Sequence, residues 1–342
     1  MLNNLQRLIP VALTLTLALP SASWATDEVN LYSARKQDLI QPLLDRFSQQ
    51  TGVRVNLVTG KADELLKRLE SEGINSPADL LLTVDAGNLH RAKEAGVTQA
   101  VTSETLAAAI PETYRDPEWH WLGLSLRARP ILYVEGKVDP AELSTYEDLA
   151  DPEWKGRICI RSSDNIYNQS LVASMIAADG VEATEAWAKG LVRNLARPPK
   201  GGDRDQISAA AAGQCDIAVA NTYYLAAMLT SNDPADRASA EKLRVFWPNQ
   251  DGRGVHVNVS GVALTRAAKN RDAAIKLIEL LASDESQAWY AEVNGEYPVR
   301  PGIPMSDTLA AWGEFKADDL NLGRLGELNA EAVRLMDRAG WK

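Results

Sequence analysis

Apolar positions in the first third of the chain alternate between two periods. Val29-Asn30-Leu31-Tyr32-Ser33 reads as a short strand, and residues 53–58 and 79–83 read the same way. Between and after them lie helical stretches. Residues 37–50 place Leu39, Ile40, Leu43, Leu44 and Phe47 on one stripe, residues 61–72 place Leu65, Leu66 and Leu69, and residues 88–95 form a third helix. Pro42 falls in the first turns of the first helix, and Gly52 stops it. Strand and helix alternating three times predict a parallel sheet covered on both faces, with right-handed crossovers.

The rhythm breaks at residues 119–134. Leu122-Gly123-Leu124-Ser125-Leu126 and Ile131-Leu132-Tyr133 are extended, with Arg127-Ala128-Arg129-Pro130 between them, as a strand crossing between two domains would be. Alternation then resumes: helix over 144–149, turn over 151–156, strand over 157–160, helices over 168–179, 183–195 and 206–212, and a strand over 215–220. Val259-Ser260-Gly261-Val262-Ala263-Leu264 is extended and returns the chain to the first domain. Helices over 272–281 and 283–290 follow, and an amphipathic helical region begins at Asp307, with Leu309, Trp312, Phe315, Leu325, Leu328, Val333 and Met336. The pattern predicts an α/β chain of two domains. Residues 26–126 with 258–342 form an N-terminal lobe, and residues 127–257 form a C-terminal lobe. Lobes joined by crossing strands can close on a ligand by a hinge.

The N-terminus changes the compartment. Residues 1–25 hold one basic residue, Arg7, an apolar run from Leu8 to Leu19 and a small-residue end at Ser23-Trp24-Ala25. That is the layout of a secretory signal peptide, with cleavage expected after Ala25. The apolar run is too short to span a bilayer, so an exported protein with no stable membrane insertion is expected. The formal net charge of −10 gives no electrostatic reason to bind nucleic acid. The only two cysteines, Cys159 and Cys215, both lie in predicted strands of an exported chain. An intrachain disulfide and two buried thiols both fit.

Candidate chemistry centres on tyrosine. Asn221-Thr222-Tyr223-Tyr224 follows the apolar strand Cys215-Asp216-Ile217-Ala218-Val219-Ala220 and precedes a helix start. In open α/β sheets ligands bind beyond the carboxyl ends of strands. Tyr167 occupies the same kind of strand-to-helix position in the same domain. Three phenols at one sheet edge can converge on one point, and phenolate oxygen is a hard anionic ligand suited to Fe³⁺. The three histidines, His90, His120 and His256, have no partner at i+3 or i+4, so no zinc-type pair exists. No nucleophile elbow, P-loop or dinucleotide fingerprint occurs, and Asp203 and Asp205 read as loop or cap residues. The chain is read as a binding protein and not an enzyme.

A set of ordered segments carries a resemblance across essentially the whole exported chain. They are Asn30-Leu31-Tyr32-Ser33-Ala34-Arg35, Thr83-Val84-Asp85-Ala86-Gly87-Asn88-Leu89, Leu124-Ser125-Leu126-Arg127-Ala128-Arg129, Cys159-Ile160-Arg161-Ser162-Ser163, Asn221-Thr222-Tyr223-Tyr224 and Asn249-Gln250-Asp251-Gly252-Arg253-Gly254. Together they resemble the periplasmic ferric-iron-binding proteins of bacterial ABC transporters. The resemblance implies a type II periplasmic-binding-protein clamshell, working as a monomer in the periplasm and delivering iron to an inner-membrane ABC permease. It implies Tyr223 and Tyr224 as the iron-ligating pair and Tyr167 as a third ligand. It also implies Arg127 as an anion-binding arginine; Arg35, at a strand-to-helix turn, is a second candidate for that role.

One departure matters. Many members of that family carry His, or His-Tyr, directly after the segment matching 32–35, where this chain has Lys36-Gln37. A protonated lysine has no lone pair to offer. Three phenolates would balance the charge of Fe³⁺ and leave coordination positions open for a synergistic anion such as carbonate or bicarbonate, held by an arginine fork. Asp85, near the position of a ligating glutamate in another branch, and Gln37 are further candidate ligands. The competing reading is a periplasmic binding protein for an organic anion or a polyamine-like solute, with the aromatic residues as pocket walls.

Overall fold

The computed structural model describes residues 28–342; the signal-peptide reading, including cleavage after Ala25, lies outside them. Two sheets organise the chain. The larger contains β1 (Glu28–Ser33), β2 (Arg54–Thr59), β3 (Leu80–Thr83), β4 (Thr98–Gln99) and β5 (Leu122–Ala128). The smaller contains β6 (Ile131–Val134), β7 (Ile158–Cys159), β8 (Ile217–Val219) and β9 (Leu243–Phe246). Then β10 (Val257–Thr265) and β11 (Tyr297–Pro298) rejoin the larger sheet. Its order is β11-β5-β10-β3-β1-β2, with β4 on β10, and that of the smaller is β7-β8-β6-β9.

The predicted βαβ start is observed: β1 pairs parallel with both β2 and β3. β10 extends the sheet antiparallel to β3, and β5 pairs antiparallel with β10, so it runs in the direction of the first three strands. The first crossing falls within the extended segment that predicted it, and the second lies just ahead of the extended segment at 259–264, which is already part of the larger sheet. The chain leaves the larger sheet at Ala128, turns at Arg129-Pro130 and enters the smaller at Ile131; it returns between Phe246 and Val257. The two crossings touch, Arg129 N–H donating to His256 O at 3.1 Å. The strand that carries Arg127 therefore stays in the larger sheet two residues beyond the expected boundary at 126/127.

Several predicted elements are adjusted for identifiable reasons. The first helix splits into a 3₁₀ turn, Gln37–Leu39, and an α-helix, Gln41–Thr51. Ile40 has non-helical φ/ψ between them, and Pro42 sits in the first turn of the second. Its buried stripe is Leu43, Leu44 and Phe47. The helix expected at 144–149 is instead a 3₁₀ turn, Glu147–Ala150. The two helices expected over 168–195 form one run, Ile166–Asn194, broken at Gly180 (φ 82°), a left-handed conformation that glycine adopts without strain. The C-terminal region holds three short helices, Asp307–Ala310, Gly323–Glu327 and Asn329–Arg338. Gly326 sits directly on His90, where a Cβ would come within 2.3 Å of the histidine side chain, so His90 packs on this segment and is only partly exposed.

Cys159 and Cys215 are joined as a disulfide. Cys159 ends β7, and Cys215 lies two residues before the neighbouring strand β8. The bridge ties together the two strands whose ends lead to the candidate tyrosines.

Candidate metal site

Each candidate tyrosine sits at a helix start. Tyr167 is the second residue of Ile166–Asn194, whose N-cap Asn165 accepts a hydrogen bond from the Tyr167 N–H at 3.0 Å. Tyr223 and Tyr224 lie in the first turn of Thr222–Leu229. There the N-cap Asn221 makes no side-chain bond to its own helix; its Oδ1 accepts instead from Arg129 Nη1 at 2.9 Å.

The three phenols meet. Tyr223 Oη donates to Tyr167 Oη at 3.2 Å, and the Tyr223 and Tyr224 rings lie 4.2 Å apart between centroids. All three line a cavity of about 430 Å³ at the junction of the two lobes, together with Arg35, Arg127 and Glu296 among others. The Arg127 guanidinium stands 5.4 Å from the Tyr167 ring centroid and 5.9 Å from that of Tyr223. Burial, with the neighbouring phenols adding to it, pushes the Tyr224 phenol up to about 12 and the Tyr223 phenol well above its ordinary 10. Both therefore hold their protons at neutral pH until a cation displaces them.

The opposite wall is cationic. Arg127, from β5, is buried and donates Nη2 to the carbonyls of Val84 and, at 2.7 Å, Val259, while its Nε has no partner. Arg35 is buried as well and spends one edge internally: its Nη2 reaches Ser260 Oγ at 2.7 Å and both oxygens of Glu296 at 2.7 and 2.5 Å. Its Nη1 is buried with no partner. Two unpartnered guanidinium nitrogens are the donors an anion would use.

The two remaining candidates sit elsewhere. Asp85 is fully buried as the N-cap of Ala86–Glu94. It accepts from Gly87 N–H at 2.7 Å, from Ser170 Oγ and from Asn258 Nδ2 at 2.8 Å, and is not among the cavity-lining residues. Burial raises its carboxyl to about 6. Gln37 is exposed and bonds to Gln41 at 3.2 Å; its neighbours Lys36 and Asp38 line the cavity instead. Among the described residues no group of three or more His, Cys, Asp and Glu side chains could hold a metal ion. His256 is buried beside the crossing and kept neutral, burial and then Arg253 lowering its pKa well below the ordinary value.

Three features escaped sequence reading. Glu296 partners Arg35 from 261 positions away. Gly295, a left-handed C-cap (φ 62°), brings the first lobe so close to the tyrosine helix that a Cβ there would stand 2.8 Å from Ala226 Cβ. Asp203 is no loop residue: it is fully buried and pairs with Arg129 at 3.0 Å. No local signal marks any of them, because each is defined by a partner distant in sequence.

Two α/β lobes hinged at two crossings, with a cavity lined by tyrosines and arginines at their junction, define a clamshell solute-binding protein. Residues 43–317 match the family described as bacterial extracellular solute-binding protein. The chain is 54% identical over 315 residues to Iron uptake protein A1 of Synechocystis, covering 92% of this chain and 88% of that one. It superposes on the structure of Trichodesmium IdiA (FutA) in complex with iron and citrate ligands with a TM-score of 0.90, at 54% identity, over 92% of this chain and 100% of that one. The ferric binding protein of Campylobacter jejuni gives a TM-score of 0.88 at 41% identity, over 92% and 100%. The chain belongs to the bacterial extracellular solute-binding protein family, in the branch that holds the periplasmic ferric-iron-binding proteins.

Proposed function

We propose that this protein captures Fe³⁺ in the periplasm through the phenolates of Tyr167, Tyr223 and Tyr224, together with an anion held by Arg127 and Arg35, and delivers it to an inner-membrane ABC permease. The observation that carries the reading is the convergence of three phenol oxygens from two helix starts in one cavity, faced by two buried guanidinium groups. Three phenolates match the charge of Fe³⁺ with hard oxygen ligands. The anion fills positions the protein leaves open, using Arg127 Nε and Arg35 Nη1. Carbonate or bicarbonate suits an arginine fork, and the citrate present in the Trichodesmium structure is a second anion of the same donor chemistry. Arg35 contributes less free charge than Arg127, because Glu296 neutralises it. Lys36, at the cavity edge, adds positive charge. Nothing in this reading needs catalysis; the relatives are named for uptake and binding.

The test is a titration of iron-free protein with ferric iron, with and without bicarbonate or citrate, followed by visible absorption. A phenolate-to-iron charge-transfer band saturating at one equivalent is expected, and it should strengthen with the anion. Absence of the band, with tight binding of an organic anion retained, would return the cavity to the competing organic-solute reading.

A further inference from the structure

A buried polar cluster lies behind the tyrosines and does not line the cavity. Its centre is Arg129, whose side chain is 1% exposed, paired with Asp203, which is 0% exposed. Arg129 Nη1 donates to Asp203 Oδ2 at 3.0 Å and to Asn221 Oδ1 at 2.9 Å. Its Nη2 donates to Asn168 Oδ1 at 2.6 Å and to Val219 O at 3.3 Å. Asp203 Oδ2 also accepts the Asn221 N–H at 2.9 Å. Asn168 Nδ2 donates back to the carbonyls of Arg161 and Ser162, at 2.7 and 3.0 Å, which closes the turn ahead of Tyr167.

The placement of these residues is the informative feature. Asn168 follows Tyr167 directly, and Asn221 lies two residues before Tyr223. Arg129 itself sits at the crossing between the sheets, its N–H bonded to His256 O in the returning segment and its C=O accepting from Tyr146 Oη at 2.7 Å. One guanidinium therefore grips both tyrosine-bearing turns while its backbone is fixed at the hinge. A dense buried network of this kind, in which Arg129 Nε alone of the guanidinium nitrogens has no partner, holds one arrangement in preference to neighbouring ones.

Resting on the phenolate reading above, we propose that the Arg129–Asp203 pair is the positioning device of the site. It sets Tyr167 against Tyr223 and Tyr224 and fixes that geometry to the hinge. Neither residue touches the metal; both act through Asn168 and Asn221. Partners that orient metal ligands in this way are worth about 10–100-fold in affinity.

Removing Arg129 or Asp203 would leave a buried charge alone and threaten folding, so the test uses the two amides. Asn168→Ala and Asn221→Ala are compared with Asn221→Asp, which keeps the oxygen that accepts from Arg129. Iron-free variants are first checked for folding by circular dichroism and thermal melting, then titrated with ferric iron in bicarbonate. Ferric affinity is expected to fall at least tenfold in each alanine variant, with the charge-transfer band displaced, and Asn221→Asp is expected to restore both. If folded alanine variants keep the parent's band and affinity, the cluster supports the fold alone and the proposal is overturned. If the parent shows no band, the phenolate reading fails, and the positioning role falls with it.

Discussion

The two walls of the cleft are built on opposite plans. The wall from the smaller sheet presents three phenols on helix starts, with Arg204 at the cavity lining, braced from behind by a buried ion pair and two amides. The wall from the larger sheet presents charge, and that charge is held by groups within the same wall: Arg127 by two carbonyls, Arg35 by Ser260 and Glu296. One wall is suited to meet a cation once its protons leave, and the other to meet an anion at once. On the proposed reading, a site divided in this way would be complete only with the lobes closed, which would make capture and closure one event.

The sharpest way to break the comparison is to remove ligands from the phenol wall. Tyr223→Phe with Tyr224→Phe should lower ferric affinity by more than about a hundredfold, beyond what outer partners of a metal site are worth, as read by competition with a chelator. Retained affinity would move the metal elsewhere.

Acid should act on the same wall. Burial holds the Tyr223 and Tyr224 phenols above their ordinary value, so these two stay protonated from pH 5 to 9 in the iron-free protein. Iron binding must release those protons, and apparent affinity therefore falls as pH falls, by about tenfold per pH unit for each phenol deprotonated. Proton release measured in a weakly buffered titration should reach at least two per iron, one each from Tyr223 and Tyr224, after subtraction of the protons released by ferric hydrolysis.

Altering the cationic wall should have a smaller effect and a different signature. Arg127→Gln is expected to reduce ferric affinity about tenfold and to abolish its dependence on bicarbonate while the band survives. Arg35 is a poorer choice for this test, since its loss would strand buried Glu296 at a cost of about 3–5 kcal/mol.

Contact between the walls can be tested at Gly295. Gly295→Ala imposes about 1–2 kcal/mol of left-handed strain and drives a methyl against Ala226. Several-fold weaker iron binding is expected, with a larger radius of gyration for the iron-loaded form in solution scattering. Gln37→Ala should change nothing measurable, because that side chain is exposed and bonds only to Gln41. A several-fold loss of affinity there would place Gln37 at the metal.

Periodicity carried most of the architecture. Alternating runs such as 29–33 and 53–58 locate the strands because each must bury one face, and the extended pieces at 122–133 and 259–264 reveal the two crossings. The placement of Tyr167, Tyr223 and Tyr224 was legible because each stands where an apolar strand run gives way to a helix start. The unread features are non-local. Asp203 looks like any residue at a helix start until Arg129 is folded against it, and Glu296 looks like a loop residue until Arg35 reaches it. Asp85 has the type and position of a ligand, yet it is buried, capping its helix through Gly87 N–H and accepting from Ser170 and Asn258. Sequence shows which residues are able to do chemistry, whereas their partners decide which of them face the cavity.

The most direct test of the central claim is resonance Raman spectroscopy of the iron-loaded protein, excited within its visible band. Coordination by Tyr167, Tyr223 and Tyr224 predicts enhanced tyrosinate ring modes, weakened by each single Tyr→Phe substitution and absent from the triple variant. A ferric complex that binds tightly without those modes, or keeps them in the triple variant, would contradict the account.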